Sequence, residues 1–229
     1  MYVRTQAGRP RGWETRPVTP AGRSDGRSSR WTEHRRARRV EFVAAAVESV
    51  RRTGPELAVE DVARTAGVSK TVLYRYFADK DELVDAVLER VSTEILLPRL
   101  LGELAADRPG DVDRLRAVVA AFVAIIEDEP ALYRFAYAQA GRAGRADLVA
   151  QTEREVAEAL AWVMGERLVD HGLDPAPTAT WAYGVVGMVQ LAAHWWSTAR
   201  TVPAAELVDQ LTALAWGGLS TLLPPAPTD

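Results

Sequence analysis

Apolar positions along this chain recur at spacings of three and four, and no stretch alternates as a strand would, so the pattern predicts an all-α fold of about nine helices. The first helix is predicted over 32–52, capped by Thr32 and closed by Gly54-Pro55, with Val40, Val43, Ala44, Val47 and Val50 as its apolar stripe. A short second helix covers 59–66 and a third covers 70–77. A fourth starts near Asp79, carries Leu83, Val87, Val91 and Ile95 to Pro98, and continues to Ala105. The break Asp107-Arg-Pro-Gly110 separates it from a fifth helix over 112–127. Pro130 opens a sixth, up to Gly141. A seventh spans 146–170 and stops at His171-Gly172. Pro175 and Pro177 precede an eighth, to Arg200, and Pro203 opens a ninth, to Leu223. Residues 1–30, rich in Arg, Gly and Pro without any period, predict a disordered basic arm, and 225–229 a loose tail.

The stretch from Val59 to Lys80 has the layout of a helix-turn-helix. Val59, Val62, Ala63 and Ala66 share one face of the first helix, and Gly67 stands where the chain must leave it. Val68 buries in the elbow, and Ser69 is placed to cap the next helix. Val72, Leu73 and Phe77 are predicted to face inward, with Lys70, Thr71, Arg75 and Tyr76 outward and Tyr74 at the margin. In such a motif the exposed N-terminal half of the second helix reaches base edges and its flanks hold phosphates. Ala-Gly-Val-Ser-Lys (66–70), Leu-Tyr-Arg-Tyr-Phe (73–77) and Asp-Lys-Asp-Glu-Leu (79–83) closely resemble the DNA-binding signature of TetR-type transcriptional regulators. Ala58 departs from the Thr common at that place and receives no role. The resemblance implies an N-terminal three-helix DNA-binding domain over 31–80 and a helical ligand-binding and dimerisation domain over 81–224. By position in the motif, it implies phosphate contacts for Tyr74 and Lys80, and contacts nearer the bases for Lys70, Thr71 and Arg75.

Composition sharpens this picture. Residues 1–80 carry 17 Lys and Arg against 9 Asp and Glu, a balance of +8, whereas 81–229 carry 11 against 22, a balance of −11. A basic head on an acidic body is the footprint of a DNA-binding domain whose body points away from the duplex. Lys70 and Lys80 are the chain's two lysines among 28 basic residues. Arg35, Arg36, Arg38 and Arg39 crowd the first turns of the first helix, where cations oppose the helix dipole, so phosphate contact by Arg36 and Arg39 is one reading and a solvated face the other. The basic arm either follows the DNA backbone or is a plain extension. No cysteine is present, which excludes disulfides, thiol nucleophiles and thiolate metal sites. The three histidines are far apart and no metal-ligand or catalytic spacing is found, so no cofactor, no metal and no enzymatic activity are expected. With no membrane-length apolar run and no apolar signal core, a cytoplasmic protein is expected.

The body offers two sets of candidates. Phe122, Ile126, Tyr133, Tyr137, Trp162, Met188 and His194, with Phe135 and Met164, are candidate lining for a small-molecule pocket, although aromatic residues at helical spacing also make plain cores. Its apolar character points to a hydrophobic effector, with His194, Gln190 or Tyr137 as polar anchors. On the last two helices, Trp181, Met188, Trp195, Leu207, Leu211 and Leu214 are candidate dimer contacts, with Gly184, Gly187 and Gly218 allowing close approach. The resemblance implies that these helices form a four-helix bundle with a partner copy. Two functions fit. One is a dimeric repressor that reads a palindromic operator and is released by a hydrophobic ligand through movement of helix four. The other is a soluble all-α binding protein whose helix-turn-helix serves protein contacts.

Overall fold

A computed structural model describes residues 25–140 and 146–221, and every described element is helical. The expected arm (1–24) and tail (225–229) lie outside the described residues. The chain divides into two compact units, Met1–Ala37 and Arg38–Asp229. The helix α1 (Asp25–Thr53) crosses that division. It begins before the predicted Thr32, so Thr32 lies within the helix rather than capping it, and 25–30 is helix rather than arm. Within the first unit Trp31 is exposed and the Arg35 guanidinium lies 5.9 Å from its ring centre.

In the second unit, α1 packs against α2 (Val59–Thr65), α3 (Lys70–Leu73) and α4 (Lys80–Arg90). Phe42, Val43, Ala46, Val47 and Val50 of α1 close over Val59, Val62, Leu73, Phe77, Leu83, Val84 and Val87. Val40 is exposed, so the stripe on α1 is rotated from the predicted one toward Phe42 and Ala46. Each buried Val or Leu stabilises this small core by roughly 1.5–3 kcal/mol. Leu132 and Phe135, far along the chain, belong to the same core, which joins the head to the body.

Gly67 adopts φ +66°, the left-handed conformation required to leave α2. α3 is a single turn; Tyr74–Tyr76 continue as hydrogen-bonded turns in which the Phe77 amide donates to the Leu73 carbonyl. The predicted helix over 70–77 is therefore shorter. Ser69 has the extended backbone of an N-cap, but its hydroxyl makes no capping bond; its carbonyl accepts from Val72 and Leu73 instead. The strong cap is one helix later. The Asp79 carboxylate accepts from the Glu82 amide at 2.8 Å, and Glu82 accepts in return from the Ala78 amide.

α4 runs without interruption through a π-helical segment (Val91–Leu96) into α5 (Leu97–Ala105). Pro98 explains the irregularity. It lacks an amide hydrogen and would collide with the Glu94 carbonyl in a regular α-helix, and a widened turn relieves both. The body continues with α6 (Asp111–Asp128), α7 (Pro130–Ala140), α8 (Ala146–Asp170), α9 (Thr178–Ala199) and α10 (Ala204–Leu219). α10 ends before the predicted Leu223. α5, α6 and α8 share one apolar cluster, and α6, α9 and α10 share another.

Candidate nucleic-acid interface and ligand cavity

Ser69, Lys70, Thr71, Tyr74 and Arg75 are all exposed on and after α3, and Lys80 is exposed where α4 begins. Tyr76 departs from its predicted outward position: its ring packs edge-on against Phe42, with centroids 5.0 Å apart. Residues 74–77 leave the α-helical period, so positions three and four apart no longer share a face. Arg39 also turns toward the protein. Its guanidinium donates to the Tyr76 carbonyl at 2.7 Å, pairs with Glu82 at 2.7 Å and lies 4.3 Å from the Phe77 ring centre. It holds the end of the recognition segment to the start of α4. Arg36 is exposed and belongs to the Met1–Ala37 unit.

Glu60, which the sequence reading passed over, lies beside this surface. Lys70 Nζ donates to Glu60 Oε1 at 2.6 Å. That hydrogen bond holds the Glu60 carboxyl below its ordinary range and the Lys70 ammonium above its own; Lys80 also contributes favourably to the ionised carboxylate. The pair is fully solvated, so it positions Lys70 more than it stabilises the fold.

The body encloses a cavity of about 210 Å³. Its wall is mostly aliphatic and aromatic, drawn from α4, the π segment and α5 to α10. Of the sequence candidates, Phe122, Tyr133, Tyr137, Met164 and Gln190 line it. Five predicted candidates do not. Ile126 is buried in the core between α6, α9 and α10, and Met188 packs against the same core. Trp162 is 67% exposed on α8. His194 is outside the lining but stacks on Tyr137, with centroids 3.3 Å apart at 11°. Phe135 is buried in the core shared with the head. Trp181, predicted as a dimer contact, lines the cavity instead.

No residue of α4 or the π segment is among the named sequence candidates, yet Leu88, Val91, Ser92, Ile95 and Leu96 all line the cavity. The apolar stripe of Leu83, Val87, Val91 and Ile95 on that helix is their signal. Polar groups in the wall are few. Ser92 and Thr152 hydroxyls bond at 2.6 Å, and Gln190 donates to Glu153 at 2.5 Å. The Tyr133 hydroxyl is buried with no partner, as is Nδ1 of His194. Burial pushes the Tyr133 phenol up and holds the His194 imidazole below its usual range.

On the outer side of α9 and α10, Gly184, Gly187, Leu191 and Trp195 are exposed, as are Leu214, Gly217 and Gly218. Leu207 and Leu211, predicted at a dimer contact, are instead buried in their own core. No described helix is long and apolar enough to cross a membrane.

Comparison with known proteins gives consistent matches. Residues 42–87 match the family described as bacterial regulatory proteins, tetR family, and residues 103–224 match the tetracyclin repressor-like C-terminal domain. The chain is 38% identical over 197 residues to an uncharacterised HTH-type transcriptional regulator of Mycobacterium tuberculosis, covering 86% of this chain and 83% of that one. It is 30% identical over 182 residues to the HTH-type transcriptional activator FasR of Mycolicibacterium smegmatis, covering 78% and 81%. Among solved structures, a tetR-family transcriptional regulator from Streptomyces coelicolor superposes with a TM-score of 0.64 at 22% identity, covering 81% of this chain and 82% of that chain.

Proposed function

The chain belongs to the TetR family of helix-turn-helix transcriptional regulators, and on that premise we propose that it is a dimeric, ligand-responsive regulator of a palindromic operator. Lys70, Thr71 and Arg75 reach toward bases, Tyr74 and Lys80 hold phosphates, and Ser69 flanks them. Two copies associate through the outer faces of α9 and α10, which sets two recognition segments about one helical turn of DNA apart. The effector is a predominantly apolar small molecule held in the body cavity, and its binding releases DNA, as in a repressor.

One observation carries this reading: a single helical run bears both Lys80 and part of the cavity wall. Lys80 stands at its start, and Leu88, Val91, Ser92 and Ile95 further along form cavity wall. A ligand that favours one position of that wall favours one position of the head. A ligand that binds both conformations equally shifts nothing, however tight it is.

The test is reciprocal titration. Candidate apolar compounds are screened for release of operator in a mobility-shift assay with a salt series. The affinity of an active compound is then measured with and without operator. Ligand control requires that operator lower the compound's affinity by the factor by which the compound lowers operator affinity. Equal affinities in the two titrations would leave a constitutive DNA binder. A promoter-reporter strain decides between repression and activation, and loss of reporter output on deleting the gene would reject the repressor assignment.

A further inference from the structure

One part of the cavity wall is charged. Asp111 and Arg114, at the start of α6, and Arg167, near the end of α8, all line it. Asp111 Oδ1 accepts from Arg114 Nη1 at 3.2 Å and from Arg167 Nε at 3.1 Å. One carboxylate oxygen is thus shared by two guanidinium groups, leaving one positive charge in excess. Asp113, Glu166 and Asp170, the neighbouring acids on the same helices, are exposed and outside the lining. The other lining acids have partners elsewhere, Glu129 on Arg51 and Glu153 on Gln190.

Arg114 is the more telling of the two. Its side chain is only 14% exposed, its remaining contact is Nη2 to the Ala106 carbonyl at 3.4 Å, and its Nε is buried with no partner. A buried cation normally has its charge matched and its N–H groups bonded, because leaving either unmet is costly. Here the one carboxylate is shared with Arg167 and the Nε–H has no acceptor, beside an apolar cavity. A carboxylate or phosphate oxygen supplies what is missing, since the guanidinium fork matches the two oxygens of such a group. The rest of the wall is apolar and takes a hydrocarbon body.

We propose that the cavity binds an amphipathic anion, with its acid group at Arg114 and Arg167 and its apolar chain running along the wall formed by α5, α6 and the π segment. This rests on the reading of the cavity as the effector site and adds the class of ligand. Neutral hydrophobic molecules of the same shape bind more weakly, because they leave the excess charge of Arg114 and Arg167 and the Arg114 Nε–H unmet.

The test compares decanoate, decyl phosphate, decanol and decyltrimethylammonium on the whole protein, followed by fluorescence of Trp181 and Trp216 in the cavity wall. One or both anions should bind at least about tenfold more tightly than decanol, the gain typical of a charge-assisted bond. Which anion binds more tightly identifies the head group. Arg114→Gln should erase that preference and leave decanol affinity unchanged. Arg167→Gln, at a more exposed position, should reduce it and serves if the first variant does not fold. Equal binding of acid and alcohol, tighter binding of the cation, absence of saturable binding by either anion, or a Gln variant that weakens acid and alcohol alike would each overturn the proposal. Release of operator by neutral compounds alone would remove the acid head while ligand control stands. An acid-selective cavity with no effect on operator would do the reverse.

Discussion

Glu60 sits at the proposed DNA-reading surface with Lys70 bonded to it and Lys80 near enough to favour its ionised form. A duplex must compete with this carboxylate for Lys70. Glu60→Gln should therefore tighten binding to operator and random DNA alike at low salt, as measured by fluorescence anisotropy. Unchanged affinity would mean that Lys70 leaves Glu60 without cost or never meets DNA. Lys80→Ala should weaken both kinds of DNA equally and reduce the salt slope by about one unit, the signature of one lost phosphate contact. A change of preference at a single base pair with the slope intact would assign Lys80 to base reading instead. In the cavity wall, the unpartnered Tyr133 hydroxyl costs the free protein desolvation without a bond in return. Tyr133→Phe should melt at the wild-type temperature or above it in calorimetry. A clear drop would show that this hydroxyl is bonded in solution.

Arg39 works at the scale of elements, because it ties α1 to the turn after α3 and to the cap of α4 at once. Arg39→Ala should cost about 1–3 kcal/mol in a denaturant titration, since it strips a charged bond from the Tyr76 carbonyl and an ion pair from Glu82. A variant of unchanged stability but reduced salt slope would return Arg39 to the phosphate role read from sequence. The elements themselves were largely legible. Gly54-Pro55, Gly67, Pro130 and His171-Gly172 end or open helices where their backbone preferences require. Less legible were features in which two periods look alike. The π segment over 91–96 carries apolar residues at spacings that suit an α-helix equally well, and only Pro98 hints at the widened turn. A regular helix through 77 puts Tyr76 outward, whereas the turn at 74–76 rotates it onto Phe42. Trp162 and Trp181 show the limit from the other side. Both are large and aromatic on apolar-periodic helices, yet one is exposed and the other lines the cavity, a choice made by neighbouring helices that no local pattern encodes.

At the scale of the whole molecule, the apolar residues that the fold leaves uncovered bear on the proposed dimer. Leu191 and Leu214 are 68% and 65% exposed, and Trp195 is 56% exposed. Between them, Gly184, Gly187, Gly217 and Gly218 meet nothing where a Cβ would stand, so a partner helix can approach closely. Under two-fold symmetry each of these residues is used twice, and one substitution alters the interface at two places. Leu191→Glu or Leu214→Glu should therefore give a folded monomer by light scattering, with wild-type helicity. It should lose operator binding steeply, because one head reads only one half-site, while keeping weak binding to random DNA. Leu211→Glu is the contrasting case. Leu211 is buried in its own core at 5% exposure, so a carboxylate there should lower the melting temperature itself. A monomeric wild type at micromolar concentration, or a Leu191→Glu variant of unchanged mass, would remove this face as the site of association.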